Sequence, residues 1–487
     1  MITDAQFASW LEDNSAQRVT LFKVGVNVGG VDTTRYLSNR AYGGGDVATP
    51  YRAVVAGGLK MVESVSLVAD ATFSAGAIEL YNVGGELDSW LDDVWVNQAI
   101  TAWVGDVRWP EADFRPIFVG VVEDIDGTKK PDRLNLLLAD KLKRLDASVT
   151  DEKMGAGAPN PDTLRRKVLG EVHNLTPKVK NAIGDYEFNA GDSERLIEVR
   201  TDGRPREVTV DLATGSFKFT TAVGPGAVTC SVQGVKPAGV YSNRIAPLIK
   251  YLVTQCGKAS SRFVDSDLDL AGLAAFDASH PQAVGLDVAE RMNVIEACHQ
   301  LAGSVGAQML PSRGGLLRLV QIAFPSSAAT EIRASRQVDR TIQLVAQTEV
   351  KASITLGYCR NHTPQPNLQT LLPDSHKELF ANEWLTVTSS DPAVLAAYKL
   401  DAAPAQENTC LQVTAEAQAE ADRRRDIFKV KRKTYQFEGT PGNMLLELGQ
   451  PVKLFSNRYN LIAGKVGVVT YLAPDWDNFH VTVQVTI

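Results

Sequence analysis

The stretch FHVTVQVTI at residues 479–487 alternates apolar and polar side chains without a break. That is the period-two pattern of a strand with one buried face. Val466, Val468, Thr470 and Leu472 alternate in the same way just upstream, and Pro474-Asp475-Trp476-Asp477-Asn478 supplies turn residues between the two runs. An antiparallel hairpin is therefore expected here. A final strand this regular is expected to be paired inside a sheet. Before it, residues Leu446 to Leu454 read as two short alternating pieces broken by Gly449 and Pro451, followed by a loop from Ser456 to Asn460. The whole segment reads as a small antiparallel barrel or sandwich.

The length of 487 residues predicts about three domains, each able to bury a core. With 44% hydrophobic and 22% charged residues the composition is that of a globular chain. No run approaches the roughly 18 apolar residues of a membrane span. The N-terminal residues MITDAQFASWLE have neither a basic start nor an apolar centre, so no signal peptide is expected and the chain is expected to be assembled in a cytoplasm. Phe7, Trp10 and Leu11 share one helical face. A net charge of −7 argues against bulk binding of nucleic acid.

Working back along the chain, residues 1–146 are nearly all strand pattern: 19–28, 77–81, 99–104, 117–122 and 134–138, separated by turns such as Gly84-Gly85 and Asp126-Gly127, with a glycine triplet at Gly43-Gly44-Gly45. Short strands at this spacing predict a barrel or sandwich. Residues 147–240 open with a Gly- and Pro-containing linker (151–161), then a predicted helix on Leu164, Val168 and Val172, then a small β insert with Asp202-Gly203 and Thr214-Gly215 turns. Residues 241–340 carry two predicted helices, one from Tyr241 to Cys256 with Ser242 as N-cap, the other from Val288 to Val305, and a turn at Arg313-Gly314-Gly315, giving an α+β domain. Residues 341–487 return to strands, with a short helix at 393–400 and a clearer one from Ala415, capped by Thr414. The fold class is thus mainly β with an α+β middle, in several domains.

Candidate chemistry is sparse. Cys230, Cys256, Cys298, Cys359 and Cys410 are odd in number, far apart and without a CxxC pair, which fits reduced, buried thiols rather than a zinc site or disulfide framework. The six histidines form no HExxH, HxH or HxxxH, and no GxSxG elbow or phosphate-binding loop appears. Acidic pairs such as Asp92-Asp93 and Glu123-Asp124 do not by themselves indicate a glycosidase cleft. Catalytic, cofactor-binding and metal-binding residues are accordingly none, and no enzyme is expected. Trp10, Trp90, Trp95, Trp103 and Trp109 read either as a sugar platform or interface belt, or as packing. Seven basic residues between Arg423 and Lys433 read either as a patch facing DNA or as a helix end running into a solvated strand.

The runs RRRDIF (423–428), LELGQPVKL (446–454) and GKVGVVTYLAPD (464–475) resemble the closing module of hub proteins at the tail tip or baseplate of tailed bacteriophages. YLSNRAYGG (36–44), IELYN (78–82), LDSWL (87–91), VGDVRW (104–109) and FVGVVEDI (118–125) resemble the first domain of the same family, and SITLGYCRNHTPQPNL (353–368) resembles a recurrent segment within it. The resemblance implies a structural virion protein with tail-tube-like β-barrels, in 1–146 and again after Ile342. It further implies a homotrimer that joins a six-fold distal tail ring to a three-fold tip, encloses the end of the tape-measure protein, meets fibre or receptor-binding proteins and passes DNA only in transit. Some relatives hold an iron–sulfur cluster on four cysteines, a spacing these five do not match. A distal-ring or receptor-binding side protein is the first alternative, and a tail-associated peptidoglycan hydrolase the second.

Overall fold

A computed structural model describes all residues except 1, 45–49, 68–70, 223, 225, 367, 369–372 and 401–403. Gly45 of the glycine triplet and Asn367 of the 359–368 loop lie outside the described residues. The fold is mainly β, with several sheets and seven α-helices among the described residues. Compactness groups the chain differently from the contiguous segments above: residues 1–144, 308–348 and 432–487 form one unit, and 145–307 with 349–431 form another.

The first unit contains two large sheets. One runs, in order, Arg52–Ala53, Val31–Ser38, Arg18–Val28, Ala99–Asp106, Arg115–Asp126, Arg133–Asp140 and Ala77–Tyr81. Its two ends are bridged by one short segment. Arg52 and Ala53 pair with Leu37 and Ser38 on one side. On the other, Val55 bridges Leu80, Ala56 N–H donates to Glu79 O at 2.8 Å and Tyr81 N–H donates to Val54 O at 2.7 Å. The alternation expected for 19–28 is realised over Arg18–Val28, with Phe22, Val24 and Val26 fully buried.

The other sheet is built on the C-terminal hairpin. Lys465–Asp475 pairs antiparallel with His480–Thr486, in register Asp475↔His480 to Val468↔Thr486 with one bulge. Pro474 lies inside the strand, not in the turn; its carbonyl accepts from Met61 N–H at 3.1 Å. Only Pro451–Leu454 of the 446–454 run is strand, pairing with Lys465–Val468. Lys433–Gly439 lies along His480–Thr486, and Gln343–Gln347 along Lys433–Gly439. One segment again reaches both sides, because Thr330–Ile332 pairs with Pro451–Leu454 while Gln337 bridges Gly439. Val62–Ser64 then adds to Lys465–Asp475, and Thr72–Ser74 to Val62–Ser64. Phe22, Ile100, Leu136, Trp476, Val481 and Val483 belong to one continuous core, so both sheets bury their apolar faces together.

The second unit carries the other sheets and most of the helix. Lys167–Leu175 is a strand, correcting the helix predicted on Leu164, Val168 and Val172. A spacing of four satisfies period two as well as a helical turn, and here Val168 and Val172 are buried while the strand pairs on both sides. The Asp202-Gly203 turn forms as expected, with both residues at positive φ (47° and 77°), joining Arg195–Thr201 to Arg204–Pro205. The helix Ile245–Gln255 starts after an extended Arg244, not at Ser242. Val288 belongs to the strand Gly285–Val288, and the next helix is Val294–Gly303. Leu270–Ser279 is a helix that sequence periodicity missed; Asp269 caps it by accepting from Gly272 N–H at 2.9 Å. Thr414 is the first residue of its helix, and its hydroxyl bonds that of Tyr358 at 2.9 Å instead of capping.

Leu472 is fully buried in the strand that carries the hairpin on one side and Val62–Ser64 on the other. Leu472→Ala is expected to lower the unfolding free energy of the first unit by about 2–5 kcal/mol, measured by urea denaturation with limited proteolysis identifying which unit opens.

Candidate functional site

The tryptophans of the N-terminal segment pack. The helix Asp4–Glu12 buries Phe7, Trp10 and Leu11, as their spacing predicts. Trp10 lies 4.7 Å from Trp109 and 6.3 Å from Phe479, with the Arg18 guanidinium 4.6 Å over the Phe479 ring. Trp90 and Trp95 are buried 5.5 Å apart beneath Arg35, whose guanidinium stands 4.2 Å from the Trp90 ring. Trp103 and Trp109 are half-buried. No row of exposed indoles remains to form a sugar platform among these five.

Asp106 anchors this aromatic group. Its fully buried carboxylate accepts from Trp10 Nε1 at 3.0 Å, from Gln17 N–H at 2.9 Å and from Arg108 Nε at 2.6 Å. The Arg108 hydrogen bonds, aided by those from Trp10 and Gln17, hold its carboxyl well below the usual carboxylate range despite burial. A depressed folded-state value means that the stability it contributes is present above the unfolded value and is lost as pH falls below it.

The basic run is tied up in ion pairs. Glu420, buried, takes Arg423 Nε at 2.7 Å and Arg424 Nε at 2.6 Å. The i,i+4 pair expected between Glu420 and Arg424 thus forms. Arg424 also reaches Glu407 at 2.8 Å and Gly303 O at 2.7 Å. Arg425 donates to Ser389 Oγ at 2.7 Å, and Lys429 pairs with Asp426 at 2.9 Å. Further on, Arg432 stacks 4.0 Å over Phe324. The run is thus a helix end, to Phe428, followed by a strand from Lys433, with Lys431 and Lys433 its exposed cations, and the arginines of 423–425 are held in ion pairs and hydrogen bonds.

The cysteines are unpaired, with Cys230, Cys256 and Cys298 buried and Cys359 and Cys410 intermediate. Burial pushes the Cys256 and Cys410 thiols up to about 11, and those of Cys230, Cys298 and Cys359 upward. Among the described residues no group of three or more His, Cys, Asp or Glu stands close enough to hold a metal ion.

Sequence reasoning missed one polar cluster, in the second unit. Arg166 and Asp287, both buried, meet at 2.9 Å, and His362 Nδ1 lies 3.6 Å from Asp287. Burial, with Arg360 and Arg166 nearby, pushes the His362 imidazole down to about 3, so it stays neutral; burial also raises the Asp287 carboxyl. The cluster lines a cavity of about 310 Å³ with Arg291, Thr176 and Thr363. The two threonine hydroxyls bond each other at 2.8 Å, leaving neither activated by a base. No local motif could have signalled this group, since the pairing of Lys167–Leu175 with Gly285–Val288 brings Arg166 to Asp287, and the bridge of Asn361 to His173 brings His362.

Among the described residues no helix is long and apolar enough to cross a membrane. No protein-family model matches the chain. No curated protein matches it. Solved structures similar to it are tail proteins: one from Neisseria meningitidis (10% identity, 96% of each chain covered, TM-score 0.42) and a 43 kDa prophage tail protein from Shewanella oneidensis (11% identity, 96% of this chain and 98% of that one, TM-score 0.41). A chain of a native gene transfer agent virion is also similar, at 11% identity over 70% of this chain and 90% of that one, with a TM-score of 0.45.

Asp106→Asn is expected to destabilise the first unit by about 2–3 kcal/mol at neutral pH, with a difference from the native chain that shrinks as pH falls below about 4, read from urea midpoints across pH. Glu420→Ala, which leaves Arg423 and Arg424 without their shared buried carboxylate while Arg424 keeps Glu407, is expected to cost about 2–3 kcal/mol, measured the same way. In a thiol-titration assay at pH 8 the native chain should react slowly at every cysteine, with all five titrating at once in denaturant.

Proposed function

We propose that this chain is a structural protein of a tailed-phage virion, standing at the tail tip as its hub, with no enzymatic role. The observation that carries the reading is the pair of large, mostly antiparallel sheets in one unit, each with its ends bridged by a single segment, 52–56 in one and 330–337 in the other. Those sheets contain part of the sequence on which the resemblance to hub proteins rests, at both ends of the chain: 78–81, 118–125, 451–454 and 465–475. Two barrel-like sheets per chain let three copies present six comparable elements, which is what a trimer needs to sit beneath a six-fold ring. The segment 1–146 and the C-terminal part of 341–487, the latter completed by 308–348, then act as the hub's tube-like domains, and 147–307 with 349–431 as an insert and an α+β part. Its partners are two further copies, the distal tail ring, the end of the tape-measure protein and tip fibres or receptor-binding proteins. DNA passes in transit, consistent with a basic run whose arginines are already paired. Assembly takes place in the bacterial cytoplasm before incorporation into the particle.

Cryo-electron microscopy of intact tails is the test, with three axial copies of the chain at the tip as the expected result. Six copies in a ring would make it the distal ring protein, and an off-axis position a receptor-binding side protein. Peptidoglycan cleavage by the purified chain, abolished by one acidic substitution, would make it a hydrolase.

A further inference from the structure

The sheet built on the C-terminal hairpin ends in strands that differ in how their open edges are protected. Soluble sheets blunt free edges with charge, proline or a covering element, because an unpaired row of N–H and C=O groups templates another strand. The Thr330–Ile332 edge follows that rule, with Glu331 and Arg333 paired at 2.6 Å. The first sheet has its ends bridged by 52–56. Two edges do not follow the rule. Gln343–Gln347 is terminal in the sheet, and the run TIQLVAQT at 341–348 contains no charge, proline or glycine. Its one protective feature is a bulge at Val345, which leaves that side chain 42% exposed. Among the described residues the strand Thr72–Ser74 pairs with Val62–Ser64, within the equally uncharged run ATFSAG at 71–76, whose Gly76 carbonyl accepts from Leu138 N–H at 3.1 Å. Thr72 and Ser74 are exposed, while Phe73 is held 6.0 Å from Phe118 in a stacked contact.

These two edges lie on opposite sides of Lys465–Asp475: Thr72–Ser74 beyond Val62–Ser64, and Gln343–Gln347 beyond His480–Thr486 and Lys433–Gly439. The geometry points to pairing of Gln343–Gln347 with Thr72–Ser74 of a second copy of this chain, so that the sheet continues from subunit to subunit. Two different edges on one subunit make a head-to-tail contact, the kind that closes into a ring. Neither edge brings a like charge against the other, and Val345 gains apolar cover it lacks in the single chain. The contact contributes register and direction, since a five-residue strand spans only about 17 Å. This inference rests on the ring-forming hub reading and names the surface that would build the ring.

The test compares Val345→Lys, which places the usual protective charge on the edge, with Val345→Thr, which keeps it uncharged and strand-forming. Full-length protein is followed by light scattering and native mass spectrometry, alongside a Val345→Cys, Thr72→Cys double variant under mild oxidation. The expected result is assembly of the unaltered chain and of Val345→Thr, with Val345→Lys requiring at least about tenfold more protein to assemble at unchanged thermal unfolding. The double-cysteine chain is expected to form a disulfide ladder that neither single variant forms. Should Val345→Lys fail to fold, the ladder decides alone. Assembly of Val345→Lys like the unaltered chain, absence of the ladder, or dimers from Val345→Cys by itself would overturn the edge pairing and leave the ring standing. An unaltered chain that stays monomeric at every concentration would overturn both.

Discussion

Glu63 is 2% exposed in the middle of a sheet, paired across from Leu472, and its carboxylate meets the Arg313 guanidinium at 3.1 Å. Arg313 in turn donates to the carbonyls of Met444 and Leu446. One ion pair thus fastens three stretches of chain that lie far apart in sequence. A buried carboxylate is tolerable only when its partner is fixed and itself fully hydrogen-bonded. The strand Val62–Ser64 has to bring Glu63 to that place, the turn at 312–316 has to present Arg313, and 444–446 has to turn its carbonyls inward. Removing one leaves charge in an apolar core, so the first unit is held as a single construction and not as a barrel with appendages.

Where local pattern and tertiary pairing agree, the sequence is legible. The hairpin of 465–486, the strands at 18–28, 77–81 and 133–140 and the helix around Phe7, Trp10 and Leu11 follow from alternation or helical spacing alone. Legibility fails where one spacing serves two periods. Val168 and Val172 are four apart, which fits either one helical face or one strand face, and only pairing partners more than fifty positions away decide between them. The helix Leu270–Ser279 was hidden for another reason: LAGLAAFDAS is apolar on every side, so no stripe stands out.

The candidate functional features divide in the same way. Trp10, Trp90, Trp95, Cys230, Cys256 and Cys298 are core residues, as residue type predicts, and Trp103, Trp109, Cys359 and Cys410 are half-buried. The basic run could not be read locally because its neutralising partners are spread between Glu407 and Asp426 and include backbone carbonyls near Gly303. The Arg166, Asp287 and His362 group has no sequence signature at all, being assembled by strand pairing. The open edge at 341–348 is the opposite case: its missing charge is plain in the sequence, but acquires meaning only when the strand is found to be terminal.

The interleaving of the two units along the sequence bears on how the chain is made. Val62–Ser64 finds its place against Tyr471 and Leu472, so an early product of the ribosome waits for some four hundred residues before its neighbour exists. Residues 145–307 and 349–431 emerge in between and belong to a separate compact unit. Sheets whose pairings span such distances fold slowly and expose open strands meanwhile. The nascent first unit is therefore the stage at which this chain depends most on protection from its neighbours on the polysome, and the order of synthesis favours completion of the second unit before the first can close.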